Sequence, residues 1–125
     1  MQEEGTELVR RWMASGPLAT SRLTELEVAS AFARRCREGA FGVADRDQAL
    51  ADLTRDLRAI TIVEVVSAVT SRARALLIRH ALRAGDALQL ASCLALRDGM
   101  ERVAFAAFDE RLVEAAREEG LQILS

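Results

Sequence analysis

Proline is nearly missing from this chain, with one residue in 125. Half of the residues are hydrophobic, and the two facts together argue against disorder. Histidine is as scarce. His80 is the single copy, so neither a histidine-based metal site nor a Cys–His nucleophile pair can be assembled. Cys36 and Cys93 show no C-x-x-C or metal spacing and read as buried thiols of a reducing compartment. Glycine-rich phosphate loops are lacking. No apolar run approaches the roughly 18–20 residues of a membrane span, and no charged-then-apolar leader opens the chain. A cytoplasmic protein with no membrane partner is expected. The net charge is −2, with acids and bases interspersed. No basic tail or stripe advertises nucleic acid in the usual electrostatic way. The length suits a single domain, 1–125, with a core of its own.

What is present alternates between helical and strand periods. Leu8, Val9, Trp12 and Met13 recur at helical spacing over Thr6–Ala14, with Trp12 as a core anchor. Ser15-Gly16-Pro17 stops that helix. Leu18–Ser21 is a short strand. Ser21 and Thr24 can both cap the next helix, which runs to about Glu38. Gly39 and Gly42 bracket a turn. Asp45 opens a helix with Ala49, Leu50, Leu53 and Leu57 on one face. The β-branched run Ile60–Val66 reads as a strand, and Ser67 begins a helix through His80. After Gly85, Asp86 starts a helix to about Arg97. Val103–Ala107 reads as a buried strand, Asp109 as the cap of a helix that Gly120 ends, and Leu121–Leu124 as a last strand. Strands separated by helices imply an α/β fold with a mostly parallel sheet. Sites in such sheets gather at the carboxyl ends of strands, and Asp109 lies just past one.

Three acids stand in apolar surroundings: Glu27 in LTELEVASAF, Asp86 in RAGDALQLA and Asp109 in FAAFDERL. Carboxylates drawn from distant segments into one pocket form a hard-cation site, suited to Mg²⁺ or Mn²⁺. Each also has a plainer reading. Asp86 and Asp109 suit helix N-caps, and Glu27 suits the outer face of an amphipathic helix. Periodicity leaves open whether Glu27 or Glu25 faces inward. Ser21, Thr24 and Ser92 have no general base at hand. His80 falls near a helix C-terminus, where a cation is favoured.

Three segments together resemble the PIN-domain nucleases, most closely the VapC-type toxins of toxin–antitoxin pairs. SRLTELEVASAFARR looks like the family's helix with an inward Glu. RAGDALQLASCLAL looks like its RxxDALxLA helix, and FAAFDERLVEAAREEGL like its TxDxxLxxAAxxxGL ending. The resemblance covers about Thr6 to the C-terminus. It implies a three-layer fold in which helices flank a parallel sheet, here of about four strands. It also implies metal-dependent hydrolysis of RNA by an endoribonuclease. Glu27, rather than Glu25, Asp86 and Asp109 then become the metal-binding and catalytic acids, with Mg²⁺ or Mn²⁺ as cofactor. The implied partners are RNA, a cognate antitoxin protein and a second copy in a homodimer.

Two departures from the pattern bear on activity. The family opens with a strand of the type LDTSALVK, whose Asp is a first metal ligand. This chain opens with Met-Gln-Glu-Glu and then a helix, so an N-terminally shortened domain is expected. The family strand lies mid-sheet, between those matched by Leu18–Ser21 and Val103–Ala107. Without it, either two inner edges go unpaired, at about 1–3 kcal/mol per buried group, or those strands close up and pair. Ala107 is the second departure, standing where the family often has Thr or Ser. Impaired catalysis follows as an expectation. The alternative is an inactive PIN-like module that docks an antitoxin or dimerises.

Overall fold

The computed structural model describes residues 10–11, 14, 16–99 and 102–124. Most of the helix expected over Thr6–Ala14, including Trp12 and Met13, lies outside them, although residues 10, 11 and 14 are helical. After Pro17, β1 (Ala19–Ser21) leads into α1 (Leu23–Arg37) and α2 (Val43–Leu57). Then come β2 (Thr61–Val63), α3 (Ser67–Arg79), α4 (Ala84–Asp98), β3 (Ala104–Phe105), α5 (Glu110–Glu118) and β4 (Gln122–Ile123).

Local chemistry sets the boundaries. The Ser21 hydroxyl accepts the Leu23 N–H at 3.1 Å and so opens α1. Gly39 and Gly120 follow α1 and α5 with φ of +80° and +87°, the left-handed conformation that ends helices and suits glycine. Helix α2 begins at Val43 behind an extended Gly42, two residues before Asp45. Helix α4 begins at Ala84, so Asp86 is its third residue rather than its cap.

The sheet departs from expectation. The described strands are parallel, but they form two pairs rather than one four-stranded sheet. β1 pairs with β2 in the register Ala19↔Thr61, Thr20↔Ile62 and Ser21↔Val63. β3 pairs with β4, Ala104 opposite Gln122 and Phe105 opposite Ile123. The inner strands do not close up on each other. Strands this short make few ladder bonds, and packing on helices holds the pairs in place. The β-branched run Ile60–Val66 is paired only over Thr61–Val63; Val65 and Val66 are exposed, and Val66, still extended, leads straight into α3.

Helix α4 is the hub, packing on α3, β1, α5 and α1. Its Ala87, Leu90, Ala91 and Leu94 are buried with Val69, Ala73 and Leu76 of α3. Leu112, Ala115 and Ala116 of α5 join the same cluster, with Phe105 and Leu121 from the second strand pair. By contrast, α1 and α2 pack on each other without fully burying any residue. Ala49, Leu50, Leu53 and Leu57 do share the half-buried face of α2.

Candidate metal centre at the start of helix α4

Asp86 occupies the first turn of α4 and is half-buried. Burial pushes its carboxyl up from the usual value; the charges of Asp109 and then Glu27 push the same way, and Arg83 opposes them. Glu27 belongs to α1 and Asp109 is the cap of α5, so these like charges come from two other elements.

Glu27 reaches this turn from α1. Its Oε1 accepts an N–H from the Gln89 side chain at 2.8 Å. Its Oε2 lies 3.3 Å from where a Cβ on Gly85 would sit. The carboxylate therefore rests against the backbone of α4, where only glycine leaves ordinary room. Glu25 instead turns to Arg22, at 3.6 Å, which separates the two acids that helical periodicity could not.

Asp109 is the N-cap of α5. One oxygen, Oδ1, accepts both cap bonds, from Arg111 N at 2.9 Å and Leu112 N at 3.1 Å. Capping therefore leaves Oδ2 for a cation, and the two readings of this residue are compatible. The plain N-cap reading of Asp86 does not hold, since Arg83 is the cap of α4 and offers no side-chain bond.

Among the described residues, no three His, Cys, Asp or Glu side chains stand close enough to hold one ion directly. The donors are carboxylate oxygens, the right chemistry for a hard cation. Their spacing is more open than a closed cage. Mg²⁺ commonly keeps several waters and takes only one or two carboxylates directly, so the donor chemistry, rather than a closed cage, is what suits such an ion.

The other polar candidates are occupied elsewhere. The Ser92 hydroxyl donates to the Leu88 carbonyl at 2.8 Å. Thr24 caps nothing; it accepts from Gln89 at 2.8 Å and shares a hydrogen bond with Thr20 at 2.7 Å. His80 ends α3 between Glu118, 3.1 Å from Nδ1, and Glu119, 2.6 Å from Nε2. Cys36 and Cys93 are free and half-buried, and burial pushes the Cys93 thiol up to about 11, making it a poor nucleophile. Ala107 packs against the core. Gln89 and Gly85 were not singled out by the sequence, although a glutamine between Leu88 and Leu90, three residues after Asp86, was a visible signal.

Short parallel strands between helices, packed on a hub helix, make an α/β fold. The PIN domain profile matches residues 2–118, and the chain belongs to the PIN-domain family. PIN domains are in general metal-dependent nucleases. No curated protein matches the chain. Among the described residues, no helix is long and apolar enough to cross a membrane.

Proposed function

We propose that this chain is an endoribonuclease of the VapC-type toxin class, hydrolysing RNA phosphodiesters with a carboxylate-held Mg²⁺ or Mn²⁺. The observation that carries the reading is the PIN domain match over residues 2–118, together with the Glu27 carboxylate of α1 resting on the first turn of α4 beside Asp86. Asp86, Glu27 and Oδ2 of Asp109 would hold the ion. When bound, the ion supplies a water that is reactive near neutral pH and a positive charge for phosphoryl oxygens. The residues supply orientation. Arg83, exposed at the cap of α4, would meet the RNA backbone as a phosphate contact. A cognate antitoxin and a second copy of the chain are the proposed protein partners.

The second reading, an inactive PIN-like docking module, draws on the open spacing of the acids. Cleavage of a structured RNA in Mn²⁺ separates the two. The expected result is cleavage by the wild type and a loss of about 100-fold in Asp86→Asn, as misplacement of the reacting groups would cause. Equal rates for both proteins would remove Asp86 from the chemistry. No cleavage by a folded, Mn²⁺-loaded wild type would favour the docking module.

A further inference from the structure

We infer that Gln89 is a positioning residue that holds the Glu27 carboxylate ready for the divalent ion, an inference that rests on the nuclease reading of the site. Two helix faces meet here, each carrying a polar pair at i, i+3 spacing, which places both members on one side. Thr24 and Glu27 belong to α1, and Asp86 and Gln89 to α4. One amide nitrogen bridges them. Gln89 Nε2 donates to Thr24 Oγ1 at 2.8 Å and to Glu27 Oε1 at 2.8 Å. An ionised carboxylate only accepts, so the nitrogen, and not the oxygen, of the amide faces Glu27. Thr24 Oγ1 in turn lies 2.7 Å from Thr20 Oγ1, which ties the amide back to β1.

Glu27 is exposed, and Gly85, on which its Oε2 rests, is followed directly by the like-charged Asp86. A free glutamate there would swing toward solvent until an ion arrived. With Oε1 on Gln89, the carboxylate stays over Gly85 with Oε2 turned to the first turn of α4. The bond to Thr24 fixes the amide and the bond to Oε1 fixes the carboxylate, leaving Oε2 for the ion. Partners of this kind orient metal ligands, and their loss typically weakens metal binding about 10–100-fold.

The test is a double-mutant cycle read by Mn²⁺ affinity, measured by electron paramagnetic resonance on the full chain well below its melting temperature. Gln89→Leu is expected to weaken Mn²⁺ binding about 10-fold. In a Glu27→Gln background the same change is expected to have little further effect, because Gln89 acts through Glu27. Thr24→Val should weaken binding in the same direction, and Thr24→Ser, which keeps the hydroxyl, should restore it. These two variants stand in if Gln89→Leu does not fold. A role in stability alone would lower the melting temperature and leave Mn²⁺ affinity unmoved, or give equal losses in both backgrounds. Either outcome overturns the positioning role while the metal site stands. Wild type that binds no Mn²⁺, or binds it as well after Asp86→Asn, overturns the nuclease reading itself and Gln89's role with it.

Discussion

Each acid of the site serves the fold and the proposed chemistry unequally, and substitutions can separate the two. Asp109 caps α5 through Oδ1. Asparagine caps as well as aspartate, whereas alanine costs about 1 kcal/mol. Asp109→Asn should therefore keep the melting temperature and lose Mn²⁺ affinity, while Asp109→Ala loses both; calorimetry and a Mn²⁺ titration read the two effects. Gly85→Ala should move the two effects in opposite directions. Alanine favours the helix by up to about 1 kcal/mol, but its methyl would press on Glu27 Oε2. The metal-free protein should gain slightly in stability while Mn²⁺ binding weakens.

Asp86 gives a pH signature. Its folded value is raised, first by burial and then by Asp109 and Glu27. A raised carboxyl favours the fold below the unfolded value of 3.8, and that contribution is lost as pH rises through the folded value. At neutral pH without divalent ions, Asp86→Asn should melt higher than the wild type. Below about pH 3.8 the difference should vanish, and added Mn²⁺ at neutral pH should reverse it by stabilising only the wild type. Thermal melts across pH, with and without Mn²⁺, read all three.

Among the elements, α4 joins core and site, because Leu90 is fully buried one turn past Asp86. Leu90→Ala should cost about 2–5 kcal/mol in chemical denaturation, as cavities in packed cores do. The hydrophobic periods made this helix legible in sequence, along with α1, α2, α3 and α5. Boundaries were less so. Asp86 looked like a helix start because a glycine preceded it, but the helix takes in Ala84 and Gly85. The strands shrank for another reason. A β-branched run reports preference for extension, whereas a ladder also needs a partner at each step, and Ile60–Val66 finds one only over Thr61–Val63. Periodicity likewise could not choose between Glu25 and Glu27, because the choice depends on Arg22 and Gln89, partners brought in by folding.

For the whole molecule, the candidate acids were legible as residue types and the sheet only as a direction. The acids stood out because each sat in apolar surroundings. Gln89 did not, since its role exists only once α1 lies beside α4. The parallel sense of the strands was visible in the alternation of elements, but their division into two pairs was not. Pairing between distant strands is a property of the packed core, which here is built around α4 and not around a ladder.

The central claim is that α1, α4 and α5 deliver their acids to one ion. Substoichiometric Mn²⁺ in a two-dimensional amide spectrum tests it most directly, because the paramagnetic ion broadens nearby resonances. The expected result is simultaneous broadening around Glu27, Gly85–Asp86 and Asp109–Leu112, abolished by Asp86→Asn. Broadening confined to one of these segments, or retained in Asp86→Asn, would contradict a shared site.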